Sequence, residues 1–416
     1  MTSLRKLVNS CQKIAGSGCP ALGPGARGRL PSDLVTSPYR TRRSTVRTAL
    51  AAEGLDALLV TDLINVRYLT GFTGSNAALL LVVADDEEPE RAHGHTEQVT
   101  DEVDPRTRFC TDSRYTLQSQ AQVPDLPRLI ARPCDVALLR GSPAGAVGFE
   151  ALSLTVAGYD VLTAVARERG RPLSLRTTLD VVEGARAVKD DDEIDTLRRA
   201  CAVADRALAD LIEAGGLRPG RTEREVGLDL DRRMRDLGAE DPSFETIVAA
   251  GANSAIPHHR PTAAALAAGD LVKLDFGATV DGYHSDMTRT FVLGEPQAWQ
   301  REIYDLVLAA QAAGRDACVV GASGAEVDAA SRDLIAEAGY GPQFAHGLGH
   351  GVGLQVHEAP SLARGSASIM APDMCVTVEP GVYLPGRGGV RIEDSGVIRP
   401  GGYHVLTMTS KDLGVL

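Results

Sequence analysis

Residues 271–292 read LVKLDFGATVDGYHSDMTRTFV, two runs of alternating side chains that flank a turn. Successive side chains of a strand point to opposite faces, so Asp275 shares a face with Lys273. The dipeptide Asp281–Gly282 is a strong hairpin signal, and the chain returns through Asp286 and Met287. This pattern predicts an antiparallel hairpin that carries one carboxylate on each strand.

A second acidic hairpin is predicted about a hundred residues later. Residues 375–379, CVTVE, place Glu379 on the face opposite two valines, and residues 385–389 are a glycine-rich turn. Residues 390–393, VRIE, then return with Glu393 on one face. If the two hairpins face each other, four carboxylates meet in one pocket.

Four ionised carboxylates repel one another in a partly buried pocket, and desolvation adds to that cost. A single strand acid would be an ordinary solvated surface residue, but the paired pattern favours a metal site. Two divalent cations would neutralise the charge, with Mn²⁺ as the first candidate and Co²⁺, Zn²⁺ or Fe²⁺ if an imidazole joins the set. Two such ions about 3.5–4 Å apart share a hydroxide and polarise a carbonyl in many hydrolases.

Histidines are available in two segments. Residues 344–358 read FAHGLGHGVGLQVHE, in which His346 and His350 are four apart. A helical zinc pair is one reading of that spacing, but four glycines disfavour a helix, so a glycine-rich strand is predicted. His258 and His259 follow residues 251–257 in a predicted loop, where histidines are commonly inert.

Composition restricts the class of protein. The 416 residues include 43 basic and 55 acidic side chains, a net charge of −12, and 44% are apolar. No run is long enough for a membrane helix, and the acidic balance disfavours nucleic acid as a partner. Seven scattered cysteines without a CxxC pair disfavour a disulfide scaffold. We therefore expect a cytoplasmic protein with no membrane association.

Three regions are expected along the chain. Residues 1–30 contain five basic and no acidic side chains, with scattered Gly, Pro and Ser. A targeting leader is one interpretation of this composition, but polar residues interrupt the apolar stretch at 7–14, so residues 1–40 are predicted to be a disordered extension. Strands and helices alternate over 41–175, which predicts a smaller α/β domain with an acidic solvated loop at 85–103. Residues 185–416 combine helices with strand pairs, which predicts an α+β domain. Within it, Thr222 and Glu225 are spaced as a capping box.

Four motifs resemble the pita-bread metallopeptidases, a family that includes methionine aminopeptidase, aminopeptidase P, prolidase and creatinase. The motifs are LDFGATVDGYHSDMTRT at 274–290, HGLGHGVGLQVHE at 346–358, VEPGVY at 378–383 and RIEDSG at 391–396. YLTGFTGSNAALLLV at 68–82 and FCTDSRYTLQSQA at 109–121 are similar to the extra domain of aminopeptidase P and prolidase. The resemblance implies an α+β pita-bread catalytic domain with a smaller α/β creatinase-like N-terminal domain.

The resemblance also implies the roles of individual residues. It assigns five metal ligands: Asp275, Asp286, His350, Glu379 and Glu393. His357 would stabilise the tetrahedral intermediate, His258 would position the substrate at the scissile bond, and Glu379 would also shuttle a proton. Arg391 would hold a ligand carboxylate, Tyr383 would be a pocket residue, and His346 would support the site.

The activity implied by the resemblance is an Xaa-Pro aminopeptidase that acts on proline-containing peptides through a metal-bridging hydroxide, in a homodimer or homotetramer. The alternatives are an Xaa-Pro dipeptidase, a methionine aminopeptidase and a catalytically inactive pita-bread binding module. One departure bears on this choice. Prolidases and some proteins similar to aminopeptidase P have the sequence HExPR, which begins at the histidine that corresponds to His357. This chain reads HEAPS at 357–361, so Ser361 stands in place of that arginine. Arg364 is the nearby substitute.

Overall fold

The computed structural model of the chain describes residues 37–83 and 103–416. Most of the predicted extension and nearly all of the predicted acidic loop lie outside these residues. Within them, the chain divides into two compact units, with the boundary between Arg186 and Ala187. The domain limits 41–175 and 185–416 stay predictions.

The first unit contains a six-stranded mixed sheet with helices. Its strands are β1 (Ala57–Val60), β2 (Ala77–Val82), β3 (Thr107–Thr111), β4 (Arg128–Ile130), β5 (Gly145–Glu150) and β6 (Leu173–Thr178), in the order β4-β3-β2-β1-β5-β6. Its helices are α1 (Pro38–Ala52), α2 (Leu63–Thr70), α3 (Thr116–Gln122), α4 (Cys134–Arg140), α5 (Val156–Glu168) and α6 (Val181–Ala187). The predicted α/β class of this region is confirmed.

The first helix corrects the predicted start of folded structure. It begins at Pro38 and not near Thr41. Proline is favoured at the first helical position, because its missing N–H would have no intrahelical partner there. Residues 38–40 therefore belong to α1 and not to a disordered extension.

The second unit contains two long helix pairs. They are α7 (Asp191–Glu213) with α8 (Glu223–Asp236), and α9 (Ala298–Ala317) with α10 (Gly324–Glu337). The capping box predicted at Thr222 and Glu225 is confirmed: the Glu225 amide donates to Thr222 Oγ1 at 3.2 Å, and the Thr222 amide donates to Glu225 Oε2 at 2.8 Å. Asp190 and Glu193 form a second capping box at the start of α7.

Fourteen short strands complete the described part of this unit, residues 187–416. They are β7 (Asp241–Pro242), β8 (Ile247–Ala250), β9 (Leu271–Phe276), β10 (Ala278–Val280), β11 (Tyr283–His284), β12 (Met287–Val292), β13 (Gly349–Gly351), β14 (Glu358–Leu362), β15 (Cys375–Val378), β16 (Gly381–Leu384), β17 (Gly388–Arg391), β18 (Asp394–Arg399), β19 (Gly402–Val405) and β20 (Gly414–Val415). The two larger sheets have the orders β20-β12-β9-β8 and β14-β13-β15-β18-β19, and smaller sheets pair β11-β10-β7 and β16-β17.

Each helix pair packs on one set of strands. One core joins α7 and α8 to β8, β9 and β12 through residues such as Leu208, Leu230 and Leu274. The other joins α9 and α10 to the glycine-rich strands and their neighbours through residues such as Val307 and Val378. Since strand side chains alternate, the polar residues of β9 and β15 point away from the helices. In the described part of the chain, no helix has both the length and the apolar character needed to cross a bilayer.

Candidate metal centre

The first acidic hairpin forms as predicted. Strands β9 and β12 pair antiparallel, with Asp275 opposite Thr288. Asp281 and Gly282 both have positive φ, 47° and 72°, as a tight hairpin turn requires. Asp286 lies immediately before β12 and is almost fully buried. The hairpin therefore presents one buried carboxylate from each arm.

The second hairpin is interrupted, which corrects the predicted strand pairing. Strand β15 pairs with β18, so that Val378 lies opposite Asp394, and β16 pairs separately with β17. Residues 390–393 do not pair with residues 375–379. Pro380 has no N–H to donate to a strand ladder, which explains the break. Glu379 and Glu393 lie on opposite sides of this break.

The glycine-rich segment lies in a short strand, as predicted, and not in a helix. His350 is the middle residue of β13. A side chain at Gly349 would collide with the carbonyl of Thr377, and one at Gly351 with the carbonyl of Ala359. The glycines therefore let neighbouring backbone segments pack closely around His350.

The five residues assigned as ligands line one cavity of about 540 Å³. Nε2 of His350 lies 3.3 Å from Oε1 of Glu379 and 3.7 Å from Oδ2 of Asp286. One ligand atom each of Asp286, His350 and Glu393 lie within 4.8 Å of one another. The tertiary structure thus brings together all four hairpin carboxylates and the imidazole.

The electrostatics of this cluster show why a cation fits it. Burial and the neighbouring carboxylates raise the pKa of Asp286 and of Glu393 well above the usual range. Burial opposes ionisation of Glu379 too, but the hydrogen bond and positive charge of His350 lower its pKa to about 2. Oδ1 of Asp275 is buried and has no hydrogen-bond partner among the described residues. Four carboxylates and one imidazole, with an unused buried oxygen, are a donor set suited to divalent cations.

Arg391 contacts the carboxylate cluster through Asp275. Its guanidinium donates to Oδ2 of Asp275, and its Nη1 donates to the Tyr383 hydroxyl at 2.7 Å. The Tyr383 hydroxyl in turn lies 2.9 Å from Nε2 of His346. The structure therefore places these three predicted supporting residues in one hydrogen-bonded chain that starts at the Asp275 carboxylate.

Two further predicted residues also line the cavity, His258 and His357. The ring of His357 packs edge-on against that of His350, with centroids 4.3 Å apart. Their separation of seven residues would place them on opposite faces of a continuous strand, but residues 353–357 form bends between β13 and β14. Burial and the neighbouring His350 lower the pKa of His357, which favours its neutral form.

Two other histidines, His259 and His284, have polar side chains as partners. Nε2 of His259 lies 2.8 Å from a carboxylate oxygen of Glu223, and Nδ1 of His284 lies 3.3 Å from the Thr279 hydroxyl. His259 also lines the cavity, whereas His284 is not among the described lining residues.

Sequence reasoning missed several residues of the cavity wall. Glu245 and Arg260 line the cavity and form an ion pair at 3.0 Å. Ser361 lines it as well, whereas Arg364 is exposed and is not among the described lining residues. Glu245 and Arg260 lie in irregular segments, where no periodic pattern could have identified them.

Comparison with known proteins agrees with this geometry. The model of metallopeptidase family M24 matches residues 195–400, and that of the creatinase/prolidase N-terminal domain matches residues 42–188. The uncharacterized peptidase YqhT of Bacillus subtilis is 38% identical over 377 residues, which cover 89% of this chain and 99% of that protein.

Two solved structures are also similar. The Xaa-Pro dipeptidase from Bacillus anthracis superposes with a TM-score of 0.80 at 36% identity, over 91% of this chain and 100% of that one. The X-Pro aminopeptidase from Thermotoga maritima has a TM-score of 0.76 at 30% identity, over 90% of this chain and 99% of that one. The predicted family and fold are confirmed, and the family implies divalent metal ions. The chain belongs to metallopeptidase family M24, with a pita-bread catalytic domain and a creatinase-type N-terminal domain.

Proposed function

We propose that this metallopeptidase hydrolyses the bond between an N-terminal residue and a proline in second position. The observation that carries the proposal is one cavity lined by four carboxylates, by His350 and by two further histidines, His258 and His357. The matched N-terminal domain, which is of the creatinase/prolidase type, adds support for proline specificity over methionine aminopeptidase activity.

Asp275, Asp286, His350, Glu379 and Glu393 are the proposed metal ligands, for two ions with Mn²⁺ as the first candidate and Co²⁺ or Zn²⁺ as alternatives. Bound divalent cations would polarise the scissile carbonyl and make water a nucleophile at neutral pH. A catalytically inactive binding module would not need all five of these residues, and every one of them lines the cavity.

Three side chains of the protein would then act on the substrate. A carboxylate oxygen of Glu379 is proposed to take the proton of the attacking water and pass it to the leaving amine. The neutral ring of His357 would donate its N–H to the developing oxyanion. His258 would orient the substrate at the scissile bond.

Two candidate substrate lengths have support from different observations. Ser361 in the cavity wall offers no positive charge to a proline carboxylate, which favours peptides of three or more residues and hence an Xaa-Pro aminopeptidase. The similarity to the Xaa-Pro dipeptidase from Bacillus anthracis favours the dipeptide instead. We take the longer peptide as the first candidate.

Location and assembly are part of the same proposal. The cysteines Cys110, Cys134, Cys201, Cys318 and Cys375 are all buried and free, which is consistent with a reducing cytoplasm. A homodimer or homotetramer is proposed from the resemblance to the family.

The test combines metal analysis with a cleavage assay. Protein purified with excess Mn²⁺ is expected to bind two ions per chain and to release alanine from Ala-Pro-Ala, and a chelator should abolish release until Mn²⁺ is restored. Fewer than one ion per chain together with no cleavage of any Xaa-Pro peptide would overturn the proposal.

A further inference from the structure

Lys273 is a fully buried lysine in the middle of β9, with 0% of its surface exposed. It lies two residues before Asp275 and on the same face of the strand, so its side chain points away from the helix core. Burying an ammonium group is costly unless it is well paired. An apolar side chain would fill this position without that cost, so the partners of Lys273 indicate its purpose.

Those partners are the two carbonyl groups that precede His258. Nζ of Lys273 donates to the carbonyl of Ile256 at 2.7 Å and to that of Pro257 at 3.2 Å. The ammonium also lies 5.0 Å from the centre of the Tyr383 ring, within range of a cation–π contact. Lys273 therefore connects β9 to the segment that places His258 in the cavity.

This segment contains no helix or strand of its own. Residues 256–270 form an irregular connection between β8 and β9. The two bonds from Lys273 therefore restrict where the backbone of this segment lies.

Two other contacts restrain the same loop. Nη1 of Arg391 donates to the Pro257 carbonyl at 3.2 Å, while the same guanidinium holds Asp275. On the other side of His258, the ring of His259 is held by buried Glu223. His258 consequently lies between two anchored points, and Lys273 supplies most of the bonds to the first.

We propose that Lys273 is a positioning residue, which fixes His258 in the cavity by holding the carbonyls of Ile256 and Pro257. The inference rests on the proposed function, because the role of His258 is to orient the peptide. It extends that function to a residue that neither binds metal nor touches substrate. Without the ammonium, His258 would sample positions that do not orient the scissile bond.

The test is a double-mutant cycle between Lys273→Met and His258→Ala, with kcat/KM measured on Ala-Pro-Ala at full Mn²⁺ loading. Lys273→Met should lower kcat/KM by about tenfold or more in the wild-type background, since small misplacements of an orienting group are costly. In the His258→Ala background the same substitution should lower it by less than about twofold. Equal losses in both backgrounds, or a loss of bound Mn²⁺ in Lys273→Met, would overturn the inference.

The matched control is Gln300→Met. Gln300 is also buried in this unit, and its side chain donates to the carbonyl of Gly269 at 2.8 Å. It does not line the cavity, so its loss should leave kcat/KM unchanged. If Lys273→Met does not fold, Lys273→Gln, which keeps a shorter donor, takes its place in the cycle and should show a smaller but still His258-dependent loss.

A readout independent of activity separates this inference from the proposed function. Hydrogen exchange of backbone amides in residues 256–262 should be faster in Lys273→Met than in wild type, and unchanged in Gln300→Met. If wild type cleaves no Xaa-Pro peptide, the proposed function fails, and the exchange rates still decide whether Lys273 holds the loop. Unchanged exchange in Lys273→Met would refute the anchoring role.

Discussion

The hydroxyl of Thr288 donates a hydrogen bond to Oε2 of Glu393 at 2.8 Å. This contact links the first acidic hairpin to the second, across 105 residues of chain. The same hydroxyl accepts from Nε of Arg391 at 3.0 Å, while the Arg391 guanidinium also holds Asp275. One threonine therefore helps to orient carboxylates proposed as ligands on both hairpins.

Thr288→Val should lower the affinity for Mn²⁺ about ten- to hundredfold, the usual cost of losing a partner that orients a metal ligand. The substitution keeps the shape and β-propensity of the side chain but removes the hydroxyl. Competition with a chelator of known affinity measures the change. Thr290→Val is the control: its hydroxyl donates to the Arg391 carbonyl at 2.9 Å and not to a proposed ligand. Equal losses of Mn²⁺ affinity in the two variants would contradict the role of the Thr288 hydroxyl in orienting Glu393.

Asp286→Ala or Glu393→Ala should abolish metal binding and reduce activity by more than about a hundredfold. Either change removes one carboxylate of a set that surrounds the proposed site, and a chelator should have the same effect on wild type. Metal content by mass spectrometry and the rate of Ala-Pro-Ala cleavage are the measurements. The N-terminal unit should stay folded. A variant that cleaves at the wild-type rate would show that the hairpins are not the metal site.

Metal affinity should rise with pH. In the metal-free protein, burial and neighbouring carboxylates raise the pKa of Asp286 and Glu393, so these groups hold protons that a metal ion must displace. Titration calorimetry in two buffers of different ionisation enthalpy should reveal proton release on Mn²⁺ binding.

The same shifts predict how the metal-free protein responds to pH. A carboxyl group whose pKa is higher in the folded state than in the unfolded state stabilises the folded state less as pH rises. This loss of stability begins near the unfolded-state pKa of about 4 and continues through the folded-state pKa. The thermal midpoint of chelator-treated protein should therefore fall across this range, and excess Mn²⁺ should restore it. Metal binding without proton release at neutral pH would count against both expectations.

His357→Ala should retain both metal ions and lose turnover by roughly 10²–10³-fold, the effect of removing one oxyanion donor. The ring lies against His350 in the cavity but is not one of the proposed ligands. Metal content and kcat are measured on the same sample. A proportional loss of metal would assign His357 to metal binding instead.

Peptides of at least three residues with proline second should be cleaved better than Xaa-Pro dipeptides. A dipeptide places its carboxylate directly after proline, where Ser361 offers no charge. A missing charged partner costs about 1.5–3 kcal/mol, roughly ten- to a hundredfold in kcat/KM. The test compares Ala-Pro with Ala-Pro-Ala at equal Mn²⁺ loading.

Ser361→Arg should raise kcat/KM for the dipeptide and leave the tripeptide less affected. A wild-type preference for the dipeptide would make Xaa-Pro dipeptidase the correct description. It would also point to Arg260, the arginine that lines the cavity, as the carboxylate partner.

The sequence by itself determined the local elements of the site. The alternation in 271–276, with the turn at Asp281 and Gly282, was enough to predict the β9–β12 hairpin and the face of Asp275. Strand periodicity and turn conformation depend on neighbouring residues, so they can be read from a short stretch. The same holds for the capping box at Thr222 and for the glycine-rich strand around His350.

Only the tertiary structure decided how these elements meet. Pro380 interrupts the second hairpin, so Glu379 and Glu393 lie at the break and are not paired along one ladder. Bends at 353–357 turn His357 towards His350, and Lys273 donates to the carbonyls that precede His258. Each of these contacts joins segments whose relative position is set by the packing of two helix pairs on their strands. Packing depends on residues far apart in the chain, and no local pattern in the sequence records it.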